Sequence, residues 1–200
     1  MPIAIAGAGT VTGISVGGLP DGIVDTDMLA AGAVTAPKRG AGAILQVQHN
    51  ALTTAYSQAA SSGTYYDLLT QSITPASTSN KIIIHWSIGQ IYADGGANRM
   101  GMILRRDTTN IAVGTSTSSR RAVTLDVTAF TDTMQHVQTA SGQAGCWVDS
   151  PSSTSAITYR ISLIDGDGGG TFLVNRSHDD TDDADHARSV TQLIVMEVAG

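Results

Sequence analysis

From residue 43 onward the sequence returns to one pattern. A short run places apolar side chains at alternate positions, and a cluster of Gly, Ser, Asn or Asp then turns the chain. The strongest run is KIIIHWSIGQIYA at 81–93, where Ile82, Ile84, Trp86 and Ile88 share one face and Ile83, His85 and Ser87 the other. In RMGMILRR at 99–106, Met100, Met102 and Leu104 share a face. In AITYRISLID at 156–165, Ile157, Tyr159, Ile161 and Leu163 alternate with Thr158, Arg160 and Ser162. Further runs are AILQVQH (43–49), TYYDLLTQSIT (64–74), TNIAVG (109–114), GQAGCWVD (142–149), TFLVN (171–175) and VTQLIVMEV (190–198). PASTSN (75–80), DGGAN (94–98), SPSST (150–154) and GDGGG (166–170) are the turns. Residues 116–133 are polar with scattered apolar positions and give no clear pattern. About eight to ten short strands at this spacing predict an antiparallel sandwich, jelly roll or barrel. The expected fold is all-β, a jelly-roll-like sandwich over 43–200 with its first and last strands side by side.

The polar residues support this. Glu197 is the only glutamate, and Lys38 and Lys81 are the only lysines. Asp, Ser, Thr and Gly, which favour turns, caps and strands over helices, stand where good helix formers would. With 11 Lys and Arg against 17 Asp and Glu, the formal charge is −6. That balance gives no general attraction for nucleic acid or for an anionic membrane. The single cysteine, Cys146, excludes a disulfide within the chain, and its setting in a strand-like segment predicts a buried structural thiol. The first residues lack a basic, then apolar, leader pattern, and no stretch is long and apolar enough to suggest a membrane span.

Residues 1–42 differ from the rest, with no aromatic residue and much Gly and Ala. Ile14 and Val16 flank Ser15 in a strand-like alternation, and GGLPDG at 17–22 is a turn cluster containing Leu19. Asp25 or Thr26 can cap a short helix through Met28, Leu29 and Ala30 to about Val34, with Pro37 ending it. So short a helix is unstable alone and has to pack on something. The expectation is an extended arm with one short helix, contacting the main domain or other copies through Ile14, Val16, Leu19, Met28, Leu29 and Val34.

Several motifs invite chemistry. IAGAGTVTG at 5–13 has the glycines of a dinucleotide-binding turn, but Gly13, Gly17, Gly18 and Pro20 interrupt the helix that such a site requires. DGDGGGTFLVNR at 165–176 begins like a calcium loop with Asp165 and Asp167. It has Gly169 at the fifth position and Arg176 at the twelfth, so it fails as one and reads as a tight glycine turn. HDDTDDADH at 178–186 sets Asp179, Asp180, Asp182, Asp183 and Asp185 between two histidines. This reads as a solvated loop between two strands, which a neighbour such as Arg188 would help order; the alternative is a bound cation, since hard oxygen ligands suit Ca²⁺ and the flanking histidines Zn²⁺ or another transition metal. Sixteen aspartates make a chance carboxylate pair certain, and no GxSxG elbow occurs, so no enzyme and no obligatory cofactor is expected. Tyr65, Tyr66 and Tyr92 lie near turns and could stack on a sugar ring. Arg120 and Arg121 could contact an acidic partner, and Trp86 reads as core.

The stretch TVTGISVGGLPDGIVDTDMLAAGAVTAPKRGAGAILQVQ, residues 10–48, resembles an arm common in tail-fibre and other virion structural proteins of tailed bacteriophages. YYDLLTQSITPASTSNKIIIHWSIG, residues 65–89, resembles the hairpin that follows it in those proteins. The resemblance implies a non-enzymatic virion subunit, made in the host cytoplasm and assembled as a homotrimer. The arm would attach to other virion proteins and the β domain would face a host-surface glycan or protein. The same resemblance admits a second role, decoration of the capsid, because the long shaft of a fibre is missing. Neither role involves nucleic acid or membrane insertion.

Overall fold

A computed structural model describes residues 33–35, 38–94, 100–127, 142–166, 168–184 and 186–200. The chain divides between Arg39 and Gly40, and the second unit, Gly40–Gly200, carries every described strand. The expected arm helix lies outside the described residues, as do Ile14, Val16, Leu19, Met28 and Leu29; Val34 is exposed.

Twelve strands are described: β1 (Ile44–Leu52), β2 (Tyr56–Ala59), β3 (Tyr65–Ile73), β4 (Lys81–Ile88), β5 (Ile91–Asp94), β6 (Met100–Arg106), β7 (Thr109–Ile111), β8 (Leu125–Val127), β9 (Gln143–Asp149), β10 (Ile157–Asp165), β11 (Thr171–Val174) and β12 (Thr191–Val198). One sheet has the order β1-β12-β4-β9, and the second has β3-β10-β6-β7 with β8 also on β6. β7 and β8 pair with successive halves of β6, at Arg106↔Thr109 and Met100↔Val127, so they act as one interrupted strand. Counted that way, eight main strands divide equally between two antiparallel sheets in the order of a jelly roll. The first and last strands pair, from Ile44↔Val198 to Leu52↔Thr191.

The alternation read in the sequence is what fills the core. Ile82, Ile84, Trp86 and Ile88 of β4 face Met100, Met102 and Leu104 of β6 and Tyr159, Ile161 and Leu163 of β10 in one continuous buried cluster. Burying side chains of this size stabilises by about 1.5–3 kcal/mol each. Polar side chains close the sandwich along its open edges. Gln46 Nε2 donates to the Thr74 carbonyl at 2.7 Å and Asn50 Nδ2 to the Thr70 carbonyl at 2.9 Å, joining β1 to β3. On the other edge, Asp149 accepts from Tyr159 Oη at 2.7 Å and from Arg106 Nη1 at 3.0 Å. Burial first, and then the bond to Asp149, hold the Tyr159 hydroxyl far above its ordinary titration range.

Cys146 departs from expectation: it is exposed. The strand was read correctly, but β9 turns this residue outward beside His85. Its neighbour Gly145 faces inward, where a Cβ would stand 2.3 Å from Trp86 Cζ2.

Candidate binding surface

The two ends of the sandwich are built differently. At one end, short turns (74–80, 107–108 and 150–156) link the strands, and the chain enters and leaves β1 and β12. Gly42 N–H donates to the Ala199 carbonyl there at 2.8 Å. The described links at the opposite end, residues 53–64, 89–94 and 166–190 apart from 167 and 185, carry the additional strands β2, β5 and β11. These pair as a third sheet, β2-β11-β5, with Phe172 opposite both Gln58 and Ala93. Long connections are therefore held as sheet rather than left as loops.

Asn175 ties this end together. It is fully buried at φ 60°, a left-handed conformation that Asn tolerates better than most residues. Its amide donates to the carbonyls of Leu52 at 2.8 Å and Thr54 at 3.3 Å, and its Oδ1 accepts from Thr191 Oγ1 at 2.8 Å. Its backbone N–H reaches the Gln90 carbonyl. Gly89 N–H donates to Thr191 Oγ1 at 3.1 Å, and Gln90 N–H to Ser189 Oγ at 2.8 Å. Side chain and backbone N–H together thus let one residue tie three chain connections. Nothing in the periodicity marks Asn175; only its place at the end of a strand run is legible.

The glycine turn after β10 is tight, as expected. Asp165, fully buried, accepts from Gly168 N–H at 2.9 Å, and Gly168 and Gly169 take φ of 81° and 90°, which glycine adopts without strain. Asp167 lies outside the described residues.

The Asp-rich segment sits between β11 and β12 at this same end, and basic side chains order it. Arg176 Nη1 is 3.6 Å and Arg188 Nη1 2.5 Å from the Asp180 carboxylate. Arg176 also donates to the carbonyls of Ser177 and His178. His178 Nδ1 lies 2.6 Å from Asp179 and His186 Nδ1 2.5 Å from Asp183. Among the described residues no three metal-ligating side chains gather at one point. Asp182 is exposed, and Asp185 lies outside the described residues.

The aromatic candidates separate. Tyr92 is 8 % exposed and its ring meets His178 edge-on at 5.2 Å, so it packs beneath the Asp-rich segment instead of presenting a face. Tyr66 packs on Phe172 at 6.3 Å, and its hydroxyl accepts from Ser61 N–H at 3.0 Å. Tyr65 is exposed, on the outward face of the second sheet. Asn110 Nδ2 donates to its hydroxyl at 2.9 Å, and the Arg105 guanidinium lies 4.3 Å from its ring centre. Beside it, Asp67 pairs with Arg160 at 2.5 Å and accepts from Ser162 Oγ at 2.6 Å. Arg120 and Arg121 are exposed in the link between β7 and β8, and the Arg121 guanidinium rests against Gly166. Tyr65, Arg120 and Arg121 therefore remain at the surface, whereas Tyr66 and Tyr92 serve packing.

Comparison with protein-family models and with curated proteins finds no match to this chain.

Proposed function

We propose that the chain is a non-enzymatic structural subunit of a bacteriophage particle, in which the β domain presents the elaborated end of its sandwich to a host surface. The observation that carries this reading is the polarity of the domain. The arm joins at the short-turn end, while the long connections collect at the opposite end, locked by β2-β11-β5 and Asn175. A protein held by its arm would display that end outward. The Arg–Asp and His–Asp pairs of 176–188 and the exposed Arg120 and Arg121 give it a surface of fixed hydrogen-bonding groups, suited to a hydroxyl-rich ligand. The resemblance of residues 10–48 and 65–89 to virion proteins points the same way.

The test is twofold. Immunogold labelling of purified particles locates the chain, and the purified protein is assayed for saturable binding to host cells. The expected result is tail labelling and binding that falls on Arg120→Ala/Arg121→Ala or Asp183→Ala substitution. Dense labelling over the head with no cell binding would replace this reading with capsid decoration. Absence from particles would end both.

A further inference from the structure

We infer that the outward face of the sheet β1-β12-β4-β9 is a self-association surface, covered in solution by a second copy of this chain. The register shows what lies on it. Val47, Met196, Ile83 and Val148 stand in one row across all four strands. His49, Ile194, His85 and Cys146 form the next row, and Ile44 pairs with Val198 on the other side. Val47 is 53 % and Val148 55 % exposed.

An antiparallel sheet with one face in water normally alternates apolar-in with polar-out. β12 does not. Its inward residues are buried, yet Ile194, Met196 and Val198 on the outward side are apolar too, beside Ile83 of β4. That is the pattern of a strand covered on both faces. The other sheet supplies the contrast, since its outward face carries Asp67, Arg105, Arg160 and Tyr65 in paired, solvated contacts. Among the described residues, the exposed large hydrophobics of this face are Ile44, Val47 and Val148, all on the edge strands β1 and β9.

Charge favours a second copy as the occupant. The chain is −6 overall, so copies repel over most approaches. This face carries no carboxylate, because Glu197 and Asp149 of its strands turn inward, and Lys81 at its rim is its one formally charged residue. A partner selected by charge would find almost nothing to read here, whereas an identical apolar face meets it without desolvating an ion. Area agrees. Four strands about 4.8 Å apart and about eight residues long make roughly 500 Å² of flat face per copy. Two such faces bury roughly 1,000 Å², which reaches the threshold of a specific interface.

This inference does not rest on the virion reading, and the same experiment separates the two. Sedimentation velocity of the full chain is expected to show an oligomer. In it Cys146, the sole cysteine, should react with a maleimide about tenfold or more slowly than in the urea-unfolded chain. Ile83→Asp, with Val148→Asp as a second variant on the edge strand, should yield folded monomers with Cys146 fast again, with folding checked by circular dichroism. A monomeric wild type overturns the inference. So does an oligomer whose Cys146 reacts freely, or one that persists in both folded variants, since the copies would then be joined elsewhere. Neither result bears on host binding.

Discussion

Removing the carboxylate of Glu197 should destabilise the domain more than any other single deletion of a polar side chain at its short-turn end. Glu197 is 1 % exposed on β12. Its Oε1 accepts from Ala76 N–H at 2.6 Å and from Asn80 Nδ2 at 2.5 Å, and its Oε2 accepts from Gln46 Nε2 at 2.6 Å. One side chain thus fastens the turn between β3 and β4 and the start of β1. Glu197→Ala leaves the buried Asn80 donor unpaired, while water can reach Gln46 and the N–H of exposed Ala76. At about 1–3 kcal/mol for the stranded donor, plus about 1 kcal/mol for each of the two charge-assisted bonds exchanged for water, the expected cost is ~3–5 kcal/mol at neutral pH. For a domain of this length that lowers Tm by roughly 6–20 °C. Glu197→Gln keeps one acceptor oxygen and should cost ~1–2 kcal/mol.

The same site predicts the pH dependence. Burial alone would raise the Glu197 pKa, but the bonds from Asn80, Gln46 and the backbone of Ala76 and Ser77 outweigh it and hold the carboxyl below its ordinary 4.5. The native state therefore binds the proton more weakly than the unfolded chain. The stabilisation is complete above about 4.5 and is lost as pH falls through the lower native value. Urea denaturation of the wild type, Glu197→Gln and Glu197→Ala from pH 7 down to pH 3 measures this. The gap between wild type and Glu197→Gln should shrink as acid is added. A Glu197→Ala variant within about 1 kcal/mol of wild type at pH 7 would refute the reasoning, as would a gap that widens in acid.

Three further outcomes follow from the packing. Gly145→Ala forces a Cβ to within 2.3 Å of buried Trp86 and should cost ~1–3 kcal/mol in urea unfolding, with a changed Trp emission. Asp149→Ala strands the Tyr159 hydroxyl and unpairs Arg106 across the sheets, and should cost ~2–4 kcal/mol by the same assay. Asn175→Ala removes three side-chain bonds and puts at φ 60° a residue that tolerates the left-handed region less well than Asn. Hydrogen exchange should show lost protection in β2, β5 and β11 while β4, β6 and β10 keep theirs.

The long strands were legible because a period of two is hard to mistake in Ile82–Ile88 or Ile157–Leu163, and their burial follows it except at Ser162, which is buried on the outward side. β2 and β8 were not legible. Tyr56–Ala59 and Leu125–Val127 are too short to carry a period, and they are strands because β11 and β6 offer them an edge. Cys146 shows the complementary limit: alternation tells which residues share a face but not which face is inside. Here Gly145 faces Trp86 and so directs Cys146 outward. The Asp-rich segment was visible as composition and Arg188 as its neighbouring counter-charge, whereas Arg176, which also orders it, acts through geometry that spacing does not encode.

The pairing of β1 with β12 has a mechanical consequence. The chain enters β1 at the short-turn end, and the ladder from Ile44↔Val198 to Leu52↔Thr191 runs along the axis that joins the two ends of the sandwich. A pull on the arm, resisted at the elaborated end, loads that ladder in shear, so its hydrogen bonds share the force and must break together. A pull between the start of β1 and the end of β12, which lie side by side, opens the same ladder like a zipper, one bond at a time. The domain should therefore resist tension along its length far better than tension across its ends.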